Sequence, residues 1–572
     1  MKNISIKFDC SVKASLLLAL LIMFASCNEN MLDEKPKDFL TPDNAYSKPA
    51  YIEQGIVGLH QHARLWWTAN EPNTTFMFTL GTDLSYMGEN PGGGGFMMNY
   101  ETALSPTSTS SGIWNRSYSC IQKANVLIDV ISNSDDDIWT NQEEKESFLA
   151  EAMFFRAFAY RNIVVLFGDA PLVTETFDYV KTDFVRNPKA DICKLMEDDL
   201  TFAAAHLPKR GAEKAPGRIT QGAAWHLLGE TYLIQSKYQE AVNATTHVID
   251  DYGYDLMTHR FGTKLGNDIF GSGDPYYDLF GYGNQNLSEN TEAIWVIQVE
   301  PNVTGGDAWP GERMYGAAYY RMGNTPDGLI AFRGELVDGV YTGYSDTLGR
   351  PVSWNRPTSY VLYTIWGGGN WDKDLRNAEH NLKRNYYFDN PASKYHGQKI
   401  EWSLYEPGQR ANPMMDTVQY LYPYFIKAAS PLEHFTDAAR SGGGTNHKDV
   451  YAMRLAETYL IRAEAYLGLN QPDKAAADIN ELRNRVSAIP VTPGEVTIDY
   501  ILDERARELY AEEWRMLTLV RLGKLVERVR KYNDNPLRPG LNIQDYHNLW
   551  PIPQSEIDRN VDAVLTQNPG YR

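Results

Sequence analysis

The chain has 572 residues, 43% of them hydrophobic and 22% charged, which is enough apolar material for a large core and more than one domain's length. Its formal net charge is −19, and residues 1–26, with Lys2, Lys7, Lys13 and Asp9, are net basic, so the remainder stands at −21. A surface of that sign repels phosphate backbones and argues against nucleic acid as a partner.

The first element is a basic stretch followed by a mostly apolar run of twelve residues, Ala14 to Ala25. A helix needs about 20 residues to cross a bilayer, so this run reads as the core of a secretory signal peptide, residues 1–26. No later apolar run is long enough to span. Phe24-Ala25-Ser26-Cys27 resembles a bacterial lipobox. That likeness implies cleavage before Cys27 and lipidation of its thiol. An ordinary signal peptide cut nearby is the alternative. Several acyl chains hold a protein to a bilayer where one does not. Residues 27–40 are polar and acidic, a tether for a soluble body.

Thr41-Pro42, an N-cap followed by proline, predicts a helix over 43–64. Residues 69–113, with Gly92–Gly95, read as loop. Helical spacing returns over 113–131 and again from 148, stopping at Gly168 and Pro171. Trp225, Leu228, Gly229 and Tyr232 reproduce the W-x2-L-G-x2-Y signature of a tetratricopeptide repeat, with Ala241 nine residues after Tyr232. A second unit places Ala475 nine residues after Tyr466. Small residues let two antiparallel helices approach, and an aromatic fills the gap between them. Between the units, residues 255–445 change to short mixed segments rich in Gly, Pro, Asn, Asp and aromatics, with 293–299 a predicted strand. Residues 501–525 read as one strongly helical segment whose Glu and Arg residues alternate at three- and four-residue spacings, a pattern of helix-packing ion pairs. The predicted fold is mainly α: a tetratricopeptide-like scaffold over 41–254, completed by 446–572, interrupted by an irregular α+β insertion over 255–445. Functional residues are expected on that insertion, held by the rigid frame.

Several blocks follow one another in order: the lipobox cysteine, Glu151–Ala157, the helical hairpin, the aromatic insertion, Arg454–Ala465, Glu504–Leu509 with Trp514-Arg515, and Asn568–Tyr571. Together they resemble the SusD/RagB family of surface nutrient-binding lipoproteins, and the likeness covers most of the mature chain. The resemblance implies a place on the outer leaflet of the outer membrane. It also implies a variable half carrying the ligand site, and a non-catalytic role in handing oligosaccharides, or in some members peptides, to a SusC-like TonB-dependent transporter. The blocks themselves are expected to be scaffold.

A sugar ring presents an apolar C–H face and a rim of hydroxyls, so its site needs flat aromatic surfaces with polar groups at their edges. The insertion offers Trp309, Tyr319, Tyr320, Trp354, Trp366 and Trp371, with Tyr315, Arg321, Tyr360, Tyr363, Asp372, Asp374 and Arg376 nearby in sequence. The N-terminal loop offers Asp83 and Tyr86, with Trp66 and Trp67. Trp366, before Gly367–Gly369, and Trp309, between Gly305-Gly306 and Pro310-Gly311, are expected on exposed turns. Zinc-protease, phosphate-loop and nucleophile-elbow motifs are absent from the sequence. Asp135–Asp137 lacks the glycine and glutamate of a calcium loop, and no cofactor is expected. Cys120 and Cys193 read as buried thiols, with a single disulfide as the alternative. A surface glycoside hydrolase and a protein-interaction scaffold are the rival readings.

Overall fold

The computed structural model describes residues 46–571 apart from 69–75, 94–96, 109–110, 178, 264, 266–268, 271, 302, 338, 411 and 434–445. The expected signal peptide, Cys27, the tether and Thr41-Pro42 lie outside the described residues. The chain divides into two units, residues 1–52 and 53–572; the contacts below are those of the second.

Helix α1 (Pro49–Thr68) begins six residues later than predicted, at a proline whose fixed φ suits the first helical turn. It continues through Trp66 and Trp67, so those rings belong to a helix and not to the loop after it. Then follow α2 (Ser111–Asn133), α3 (Gln142–Leu166), α4 (Lys189–His206), α5 (Gln221–Ile234) and α6 (Tyr238–Asp251). After the insertion come α7 (Leu455–Gly468) and α8 (Pro472–Arg485). From α2 to α8 each helix packs against the next.

Helix α3 starts where the Asn141 side chain accepts the Glu144 amide at 2.8 Å, and it stops before Gly168, whose φ is +73°. From Ala150 to Leu166 every residue except Met153 is buried. A helix covered on all sides tolerates charge only where the charge is paired. Glu151 accordingly accepts Arg218 Nε at 2.8 Å and His60 Nε2 at 2.5 Å, and Arg156 grips both oxygens of Asp199 at 2.8 and 2.7 Å.

The two tetratricopeptide-like hairpins, α5–α6 and α7–α8, are adjacent in space although the whole insertion separates them in sequence. Leu233, Ala241 and Val242 share one cluster with Ile461 and Ala465. Ala241 and Ala475, the residues at the repeated offset, are both fully buried. The joint is tight at Gly468, where a Cβ would come within 2.6 Å of the Tyr238 ring. Gly468→Ala is therefore expected to lose about 1–3 kcal/mol by overpacking, although alanine is the better helix former. Urea unfolding of the pair of proteins checks this.

The insertion is closed by β2 (Ala293–Ile297) running antiparallel to β8 (Val450–Arg454), which feeds directly into α7. Three short antiparallel pairs organise the rest: β1 (Ser85–Tyr86) with β5 (Arg356–Pro357), β3 (Leu336–Val337) with β4 (Val340–Tyr341), and β6 (Leu382–Lys383) with β7 (Tyr424–Phe425). The β1–β5 pair pins the N-terminal loop to the insertion.

The single helix expected over 501–525 is three: α9 (Ile498–Leu509), α10 (Arg515–Arg521) and α11 (Leu525–Tyr532). Ala511 at φ +66° and Gly523 at φ +65° turn the chain between them. The first turn frees Glu512 to reach Arg454 at 2.9 Å and Lys427 at 2.8 Å, and Glu513 to reach Arg505 at 2.5 Å. Cys120 and Cys193 are buried and free, as separate thiols. Among the described residues no helix is long and apolar enough to cross a membrane.

Candidate functional site

Most of the candidate ligand residues face inward. Asp83, fully buried, accepts Arg515 at 3.0 and 2.8 Å and Arg528 at 2.7 Å. Arg376, also buried, binds Asp374 at 2.9 and 2.7 Å and Glu504 and Glu508 at 2.8 Å each. Trp366 corrects the expectation of an exposed turn: it is fully buried, and its indole N–H donates to Val361 O at 3.0 Å. The glycines after it let the backbone reverse, at φ +65° for Gly368 and +82° for Gly369, while the ring points in. Trp309 is also inside: its backbone bridges to Asn446, and Lys448 Nζ sits 5.4 Å from its ring. Tyr319 is buried and donates to Gly349 O at 2.9 Å. Tyr86 is buried with Arg356 5.1 Å from its ring, and burial pushes its hydroxyl up to about 12. Trp66 and Trp67 pack around Trp514 in the core, at 5.9 and 4.9 Å. None of these side chains has a free face for a ligand.

Trp354 and Tyr320 are different. Both are half-buried at a place where four segments meet. The loop after β1 crosses the residues before β5 through Gly88 and Glu89, whose amides donate to Ser353 O at 2.9 and 3.1 Å. Glycine is required at 88, because a Cβ there would lie 2.6 Å from Val418 O and closer still to Ser353 Oγ. The crossing delivers Glu89 to the surface. One of its oxygens accepts the Trp354 indole N–H at 2.8 Å; the other accepts Arg321 Nη1 at 3.0 Å. Glu89 and Arg321 are each 35% exposed. Arg313 lies 5.6 Å from the Trp354 ring and Arg321 5.9 Å from the Tyr320 ring.

The fourth segment is tied on beside Arg321. Tyr405 Oη donates to Asn324 O at 2.9 Å and Gln409 Nε2 to Pro326 O at 3.2 Å. That loop carries Trp402, 6.1 Å from Tyr405, with the Arg410 guanidinium 4.2 Å from its ring and Arg410 Nε bound to Asp416 at 2.5 Å. The structure thus brings Trp354 and Tyr320 together with Glu89 and Arg321, and ties to residues 324–326 the loop of Trp402, Tyr405 and Arg410. The last three were missed because nothing local in residues 402–410 marks them. Glu89 was missed although it directly precedes Asn90-Pro91-Gly92, a turn signal that sets it on a loop. Trp371, 43% exposed, belongs to a separate cluster with Tyr363.

Chemically the rim offers rings of limited exposure whose edges carry a guanidinium and a carboxylate already joined to each other. It can stack a sugar face and hydrogen-bond a hydroxyl. It supplies no nucleophile, and both oxygens of Glu89 are engaged. The carboxylates of α9 are no better placed for catalysis. Burial alone would raise Glu508, but Arg485, Arg454 and Arg376 hold it well below the usual carboxylate range, so it has no proton to give. One opening, about 590 Å³, lies between α1, β2, Glu300 and residues 303–306. Its arginines are already engaged, Arg64 with Asp307 and Arg218 with Glu151, and its one indole, Trp295, is buried. The aromatic rim is therefore the better candidate site.

A family model described as the SusD family matches residues 289–571, and one described as starch-binding, associating with the outer membrane, matches residues 31–233. The chain is 26% identical to SusD-like protein P25 of Formosa agariphila over 96% of this chain and 97% of that one. It is 27% identical to the starch-binding protein SusD of Bacteroides thetaiotaomicron over 74% of this chain and 72% of that one. Among solved structures it is similar to surface glycan-binding protein A of Bacteroides thetaiotaomicron in complex with laminarihexaose. There the TM-score is 0.64 at 18% identity, covering 91% of this chain and 99% of that one, a likeness of fold.

Proposed function

The chain belongs to the SusD family, and on that footing we propose that it is a glycan-binding lipoprotein of the cell surface. It captures oligosaccharide at the rim formed by Trp354, Tyr320, Glu89 and Arg321, and delivers it to a SusC-like TonB-dependent transporter of the outer membrane. Lipid at Cys27 holds it there. The observation that carries the reading is the half-buried Trp354 whose indole N–H and neighbouring Arg321 are fixed by the same carboxylate. A ring pinned at its edge offers a sugar a preorganised face, and little rotamer freedom is lost on binding. The capture is non-catalytic: the protein grips the polymer and leaves its bonds intact. Two similar proteins, one starch-binding and one solved with laminarihexaose, support carbohydrate as the ligand class.

Trp354→Ala tests the site. A stacked, edge-bonded indole has the character of a binding hot spot, worth about 2 kcal/mol or more. Affinity for a retained glucan, measured first with laminarihexaose and starch oligosaccharides, is expected to fall roughly 30-fold with thermal stability little changed. Wild-type affinity in the variant would remove the rim from the reading, and release of reducing ends by the purified protein would remove the non-catalytic role. For the anchor, Cys27→Ser made in the native host is expected to move the protein from the membrane fraction to the soluble one.

A further inference from the structure

The turn that buries Trp366 exposes two other rings. Tyr363 is 47% exposed and Trp371 43%, and they lie within 13° of parallel with centroids 6.4 Å apart. Among the described residues no other stacked pair has both members exposed. The Arg384 guanidinium lies 5.5 Å from the Tyr363 centroid and 4.5 Å from that of Trp371, so one cation serves both rings. Its Nη2 donates to Leu362 O at 2.9 Å and to Asn377 Oδ1. Among the described residues its Nε and Nη1 are buried without a hydrogen-bond partner, and the Glu379 carboxylate nearby accepts the Arg384 backbone amide at 3.1 Å. The guanidinium is thus given over to the ring faces.

The rings are also held in place from below. Asn377 Nδ2 donates to Trp371 O at 2.7 Å. Asn370 Oδ1 accepts the Ile489 amide at 2.8 Å and Arg483 Nη2 at 3.2 Å, clamping the turn to the helical scaffold. The buried Trp366, bonded to Val361 O, anchors the other side. Exposed apolar area of this kind has a hydration cost that folding leaves in place, and a rigid, parallel, half-exposed pair is shaped to remove it by stacking on a flat ligand. The exposed side chains of Asp372 and Lys373 stand next to it in the chain, as edge groups for hydroxyls.

We propose that Tyr363 and Trp371 form a second carbohydrate-contact surface, distinct in its residues from the Trp354 rim, that takes pyranose units of a polysaccharide. The inference rests on the glycan-binding reading. Two contacts on one protein raise the apparent affinity for a long chain through effective concentration where the chain spans both. A short oligosaccharide fills each surface separately.

Both positions are half-exposed, so Tyr363→Ala/Trp371→Ala is expected to fold with unchanged unfolding midpoint, and circular dichroism and urea unfolding establish that first. Titration calorimetry with laminarihexaose, or with whichever glucan oligosaccharide the wild type retains, is then expected to lose one class of sites in the double variant and the other class in Trp354→Ala. Retention of the parent polysaccharide in an affinity gel is expected to drop at least tenfold in Tyr363→Ala/Trp371→Ala and to vanish when Trp354→Ala is added. If the wild type binds glycan while Tyr363→Ala/Trp371→Ala matches it in both stoichiometry and gel retention, the second surface is overturned and the first stands. If no glycan of any length is retained by the wild type, the functional reading itself fails. Arg384→Met provides the control for ring placement: it removes the shared cation, and its expected signature is a changed tryptophan emission maximum with partial loss at the second surface alone.

Discussion

Replacing Glu508 by alanine is expected to destabilise the fold by about 3–5 kcal/mol, the cost of uncovering buried charge when one partner of a paired set is removed. Glu508 accepts Arg376 from the insertion at 2.8 Å, Arg454 from the β8–α7 junction at 2.8 Å, and Arg485 from the end of α8. The side chains of all four are at most 1% exposed. Without Glu508, three guanidiniums crowd one interior with Glu292, Asp374, Glu504 and Glu512 left to balance them. Because the carboxylate's folded pKa lies below its unfolded value, its stabilisation is fully present above about pH 4.3 and is lost as pH falls through the folded value. Glu151 behaves likewise: burial opposes ionisation, but His60 and Arg218 hold it down to about 2, so its share disappears between about pH 4.5 and 2. Urea unfolding at pH 7 measures the first effect, and the same experiment repeated from pH 5 downward measures the second. The wild type is expected to lose stability with acid more steeply than Glu508→Ala. A loss below about 1 kcal/mol at pH 7 would mean that the network reorganises freely and is not what joins insertion to scaffold.

The scaffold was legible because its code is local. Tyr232 with Ala241, and Tyr466 with Ala475, state the geometry of a helical hairpin inside thirty-odd residues, and both alanines are buried as that geometry requires. What local patterning does not contain is the stacking of α6 on α7, which goes with β2 finding β8 across most of the insertion. The loops are harder still, since they have no period to say which side is in. Trp366 and Trp371 are five residues apart on one turn, flank the same three glycines, and have opposite fates. Arg376 beside Asp374 has the look of a sugar-edge pair, and only the arrival of Glu504 and Glu508 from α9 reveals a buried hub. The same long-range dependence hid Glu89, whose role exists only because Gly88 lets two loops cross.

Asp83→Asn is expected to be nearly as costly as Glu508→Ala, about 3 kcal/mol or more, and it separates a structural aspartate from a ligand-binding one. Asp83 comes from the N-terminal loop and lies between Arg515 of α10 and Arg528 of α11, both almost fully buried. Burial would raise its carboxyl, but the two arginines hold it down and ionised. Asparagine keeps the shape and part of the hydrogen bonding and removes only the charge, so the two guanidiniums face each other with less between them. Arg528 retains Asp499 and Asp503 at 2.8 Å each, and Arg515 retains Glu513 at 3.4 Å. Those partners keep the loss short of complete unfolding. The β1–β5 pair and the Gly88–Ser353 crossing, which set Glu89 and Trp354, do not pass through Asp83. Glycan affinity of the folded variant is therefore expected to stay within about threefold of wild type, while the urea midpoint drops. The reverse result, intact stability with lost affinity, would put Asp83 in contact with the sugar and require that the loop open to expose it.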